Sequence, residues 1–180
     1  MPIVAPARVG GLVALVALYI IPYRMSDLLA GNEVIGMAAS ILFLPAFVRL
    51  LGYLVFGFWA VPALFVAAMA CVDLGLPSSD RLVVAMLLAL GGPLGAHLVS
   101  RWCRLEPGLA NLSPLRLLAI SLGCASGNAL FYETGLALVG VPNGGAVRAM
   151  YILLGDTLGT WAIIYLIKIG LTFGGRMLRT

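Results

Sequence analysis

Charge is scarce in this chain, and so are the residues that usually carry catalysis. Asp, Glu, Lys and Arg together make up 10% of the 180 residues, there is one histidine, and the three cysteines (Cys71, Cys103, Cys124) form no CxxC pair. That cysteine pattern offers no disulfide framework, so each cysteine reads as a small core residue. His97 has no second His or Cys at ligand spacing, which excludes a metal site built around it. A Walker loop, a dinucleotide fingerprint and an alternation of basic and aromatic residues are all missing, so no cofactor and no nucleic-acid partner is expected. Ser126 in "LGCASGNALFY" stands in the small-x-Ser-Gly setting of intramembrane serine proteases, but those place their histidine after the serine, and here His97 precedes it. Cys124 paired with Arg148 fails as a transpeptidase for want of the same downstream histidine. Without a base the nucleophile is weak, so the chain is expected to be no enzyme and to hold no metal.

What remains is apolar. The residues are 62% hydrophobic and the mean hydropathy is +1.10, outside the range of a soluble domain. Long unbroken runs without dyad alternation indicate helices rather than a barrel. The reading is a single integral membrane domain over residues 1–180. Its N-terminal "MPIVAPARVGGLVALVALYIIPYRM" shows no cleavage signal and forms the first span.

Six spans are predicted. The first covers about 9–23. Residues 34–72 hold a single charge, Arg49, and are too long for one crossing, so two spans share them. Their break is expected at Arg49 to Gly52, with Pro45 and Pro62 kinking the flanking helices. A Gly-Pro-Ser turn at 73–81 leads to a fourth span at 82–102, and the fifth and sixth follow at about 115–139 and 149–170. With six crossings, one side collects Arg8, Arg49, Arg101, Arg104, Arg116, Lys168, Arg176 and Arg179, and the other only Arg24, Arg81 and Arg148. Basic residues gather on the cytoplasmic side. The fold class is therefore an all-α polytopic transmembrane helix bundle with both termini cytoplasmic, and the net charge of +4 is that of an inner face touching membrane lipid.

Two acids lie inside apolar runs. Asp156, in "YILLGDTLGTWAII", is predicted about 10 Å below the outer surface on the sixth helix, and Glu133 as far below it on the fifth. A carboxylate at such depth costs about 2.5 to 3.5 kcal/mol unless it faces the bundle, water or a partner. Asn128, Tyr132 and Thr160 complete a candidate outward pocket for a proton, a cation or a cationic ligand. The competing reading pairs Glu133 with Arg148 or Arg81, and lets Asp156 bond Thr160 and cap a break in its own helix. Sliding the chain by 64 residues sets Leu90-Gly91 on Leu154-Gly155 and Leu94-Gly95 on Leu158-Gly159. Glycines spaced four apart, Gly91 with Gly95 and Gly155 with Gly159, allow close helix approach.

Two segments, "FLPAFVRLLGYLVFGFWAVPALFVAAM" and "LLGDTLGTWAIIYLIKI", resemble the bacterial membrane-associated sensor (MASE) domains, with Gly155, Asp156 and Gly159 matching a Gly-Asp-x-x-Gly element of that family's last helix. The resemblance spans about 35–171. It implies a sensory module of the bacterial inner membrane that signals through a protein partner, although the family's usual eight or so spans and output domain are not seen. The alternatives are the substrate-binding subunit of a vitamin or metal uptake transporter, and a non-catalytic accessory subunit of a membrane complex. In each case the protein partner is an effector, a transporter complex or another copy of the chain.

Overall fold

The computed structural model describes residues 6–30, 43–72, 75–141 and 145–177, and contains helices and turns with no strand among them. The helices are α1 (Pro6–Ala30), α2 (Pro45–Phe56), α3 (Ala60–Cys71), α4 (Ser78–Trp102), α5 (Pro114–Leu138) and α6 (Gly145–Met177), with short 3-10 turns at Gly57–Trp59 and Pro107–Leu109. By length and composition, four segments are able to cross a membrane, Pro45–Cys71, Ser78–Trp102, Pro114–Leu138 and Gly145–Gly170, and a shorter apolar stretch, Val9–Met25, lies in α1. The chain is on that ground a multi-pass membrane protein.

Pro45–Cys71 is not one straight rod. Gly57 has φ +59 and ψ −138, a conformation open to glycine and strained for other residues. Beyond it the chain turns back. Gly52 and Ala60 would lie about 12 Å apart along a continuous helix, yet a Cβ on Gly52 would sit 3.2 Å from that of Ala60. The break expected at Arg49 to Gly52 is thus displaced to Gly57, the residue that tolerates the required dihedrals. Arg49 is correspondingly no loop residue: it lies within α2 and is 4% exposed. Pro45 and Pro62 occupy the first turns of α2 and α3, where the missing N–H has no helical partner to lose, so they start helices and do not kink them. The first part of the predicted second span, 34–42, and residues 142–144 between the predicted fifth and sixth spans lie outside the described residues.

Neighbouring helices run antiparallel. α1 meets α2 through Gly11 with Phe56, Leu15 with Gly52, Tyr19 with Arg49 and Tyr23 with Phe43. α3 turns into α4, where the Arg81 guanidinium donates to the Met69 carbonyl and Ala68 and Val72 pack with Val84 and Ala85. The tightest pair is α4 with α5. A Cβ on Gly91 would lie 2.7 Å from the Gly127 oxygen, and Gly95 abuts the Gly123 carbonyl. In a bilayer, association rests on such close packing rather than on escape from water. Leu98, Leu130, Leu138 and Met150 accordingly remain exposed on the outer surface, where lipid chains would cover them.

Candidate functional site

The buried face of α6 carries Ile152, Gly155, Asp156, Gly159 and Thr160, a stripe at helical spacing of three and four. Asp156 is 3% exposed. Its Oδ2 accepts from Arg49 Nη1 at 3.1 Å and from Asn128 Nδ2 at 2.7 Å. The other guanidinium nitrogen of Arg49, Nη2, donates to Tyr19 Oη at 2.8 Å. The guanidinium carbon lies 5.5 Å from the Tyr19 ring centre and 5.0 Å from that of Phe43, within cation–π range. Helices α1, α2, α5 and α6 each contribute one of the hydrogen-bonding residues. α4 makes room for them: a Cβ on Gly92 would come within 3.4 Å of Arg49 Cδ and 3.1 Å of Cys124 Sγ.

The entry to α2 rests on the same part of α6. Phe43 N donates to the Gly155 carbonyl at 3.1 Å, and a side chain at Gly159 would overlap the Phe43 carbonyl. Gly159 therefore admits backbone rather than another helix face. Asp156 stands about 16 Å along α6 from its start, close to the middle of Gly145–Gly170, deeper than the 10 Å expected because α6 begins before Ala149.

The residues proposed for one pocket fall into separate places. Asn128 joins Asp156 directly, and Thr160 follows one turn on along the same buried face, 4% exposed. Tyr132 packs among Val84, Leu136 and Ile152. Glu133 makes its own two-pronged ion pair, accepting from Arg148 Nε at 2.5 Å and from Nη2 at 2.8 Å. Asp156 bonds Arg49 and Asn128, and α6 continues unbroken through it. The carboxylate considered for a cation already has one: Arg49 neutralises it, so the centre carries no net charge.

Arg49 and Tyr19 were absent from the candidate pocket residues, Arg49 standing instead at the expected break between two spans. The available signal was the lone arginine in a 39-residue apolar stretch, matched by a lone aspartate in another. Each is costly in a bilayer and the two are less so together. Asn128 adds one further feature: its buried Oδ1 has no hydrogen-bond partner among the described residues, and a buried carbonyl left unpaired costs about 1 to 3 kcal/mol.

No family model matches the chain, and no curated protein and no solved structure matches it.

Proposed function

We propose that this protein is a sensory, ligand-binding module of a bacterial cytoplasmic membrane, crossing it six times with both termini in the cytoplasm, and that the Arg49–Asp156 pair is its responsive element. The observation that carries the reading is that pair itself: 4% exposed on both side chains, placed midway along the bundle and fastened to α1 and α5 by Tyr19 and Asn128. Ionisable groups at such depth mark functional sites more often than structural ones. The antiparallel neighbours support the topology, since six alternating directions return α6 to the end where α1 began.

A sensor needs a helix that leaves the bilayer toward an effector, and α6 suits that part. Trp161 Nε1 donates to Ser121 Oγ, two turns inside α5. By the same two turns α6 reaches about Lys168, level with the start of α5, and it continues to Met177. From Tyr165 to Lys168 it already stands exposed. A change at Asp156 would thus bias a helix whose far end projects from the bundle, and a signal requires only that ligand favour one of two arrangements. The fitting ligand is a small polar or zwitterionic molecule with an N–H or O–H for Asn128 Oδ1 and an acceptor that competes with Asp156 for Arg49. A transporter subunit would turn its small-residue faces toward a partner, whereas Gly91, Gly95, Gly123 and Gly127 are engaged between α4 and α5, which favours the sensory reading.

The test is thermal unfolding of the purified protein in detergent with amino acids and other small zwitterions, and across pH steps, for the parent, Asp156→Asn and Asn128→Leu. The expected result is a ligand or pH response in the parent that both variants lose. If parent and variants respond alike throughout, or none responds, the reading fails.

A further inference from the structure

We infer that the α4–α5 turn is a binding surface for the phosphate headgroups of anionic phospholipid. Arg101 and Arg104 are exposed there on either side of Trp102, which is 86% exposed. Among the described residues the ion pairs are Arg49 with Asp156 and Arg148 with Glu133, so neither Arg101 nor Arg104 has a carboxylate partner. At the opposite end two of the three cations are engaged within the chain, Arg148 by Glu133 and Arg81 by the Met69 carbonyl, and Arg24 is exposed. The asymmetry is therefore one of available guanidinium groups as well as of residue number.

Apolar neighbours fix the depth of this surface. Leu98 lies one turn before Trp102 on α4 and is 68% exposed, and Leu115, at the start of α5, is 79% exposed. Both belong against acyl chains. Trp59, 61% exposed, adds a second indole from the adjoining α2–α3 turn, which is held to α4 by Phe58 against His97, ring centres 5.0 Å apart. Indoles settle at the headgroup boundary, so the two guanidinium groups arrive at phosphate depth. That placement selects a lipid over a soluble partner, and a planar guanidinium can grip phosphate with two hydrogen bonds.

The turn is also preformed. Asn111 Oδ1 accepts from Glu106 N at 3.0 Å, Asn111 Nδ2 donates to the Arg104 carbonyl at 3.1 Å, and Arg116 Nη1 donates to the Asn111 carbonyl at 2.7 Å. These bonds hold Arg104 at φ +49, a left-handed conformation that a mobile loop would not keep. Glu106 is the one exposed acid in the turn. The surface is independent of what the Arg49–Asp156 pair senses.

The experiment places the Trp59→Phe/Trp161→Phe protein, with Trp102 as sole donor, in phosphatidylcholine vesicles carrying traces of dansyl-labelled phosphatidylglycerol or dansyl-labelled phosphatidylcholine. Energy transfer should report enrichment of the anionic label on the order of fivefold. R101Q/R104Q should abolish it, R101K/R104K should retain part of it, and millimolar inorganic phosphate should leave it unchanged. Equal transfer from both labels, persistence in R101Q/R104Q, or loss to free phosphate would each overturn the proposal. Native mass spectrometry of the parent chain and of R101Q/R104Q gives a second reading free of the tryptophan changes. Anionic lipid should co-purify with the first and be depleted from the second, and equal amounts would likewise overturn it.

Discussion

Arg49 Nη1 and Asp156 Oδ2 stand 3.1 Å apart across a sequence separation of 107 residues, and both side chains are 4% exposed. No other buried ion pair joins such distant helices among the described residues. The bond ties the α2–α3 hairpin to α6, and Tyr19 and Asn128 extend the tie to α1 and α5.

Breaking that pair from one side should be far worse than removing it. Arg49→Met or Asp156→Leu alone strands a buried charge, at a cost of about 3 to 5 kcal/mol. The double variant strands none and should recover most of the loss. Unfolding of all four proteins in detergent gives the coupling directly, and additive losses would show that the pair is not the unit described.

The Glu133–Arg148 pair should matter less and respond more to salt. Its side chains are 16% and 8% exposed, so water and ions reach it. Glu133→Gln should lower stability by about 1 to 2 kcal/mol, less than Asp156→Leu, and the deficit should shrink as salt is raised. Denaturation at two ionic strengths checks the order and the trend.

Close packing of α4 on α5 should tolerate no added methyl at Gly95 or Gly127. A Cβ at either would overlap a carbonyl oxygen of the facing helix, so Gly95→Ala should cost on the order of 1 to 3 kcal/mol. Gly10→Ala, with nothing within 4 Å of the new carbon, should be neutral or slightly stabilising, since alanine is the better helix former. Comparable melting temperatures for the two variants would contradict the packing described.

Gly57 should resist replacement for a backbone reason. Its dihedrals, φ +59 and ψ −138, are about 1 to 3 kcal/mol unfavourable for alanine, although no neighbour lies within 4 Å of its Cβ position. Gly57→Ala should thus lower the melting temperature without any steric clash, and an unchanged value would contradict the sharp fold between α2 and α3.

The helices themselves were legible because hydrophobic run length maps directly onto helix length. Predicted spans at 82–102 and 115–139 became α4 (Ser78–Trp102) and α5 (Pro114–Leu138) within a few residues. The hairpin was misplaced because Arg49 looked like a loop marker: hydropathy registers that a charge is costly and cannot register that a partner 107 residues away offsets it. For the same reason Asp156 and Asn128 were found as neighbours, lying on consecutive antiparallel helices, while Tyr19 and Arg49 were missed. Glu133 shows the limit of depth as a criterion. It lies five residues from Asn128 along α5, and at about 100° per residue that spacing turns it onto a different face, where it meets Arg148.

The separation of Arg49 from Asp156 also governs how the protein can be made. At ribosomal speeds of roughly 5 to 20 residues per second, several seconds pass between emergence of the arginine and arrival of its acid. During that interval Tyr19 and Phe43 are the companions already synthesised. A nascent chain halted before α6 would carry an uncompensated cation into the bilayer, a state that quality-control proteases could distinguish from the finished bundle.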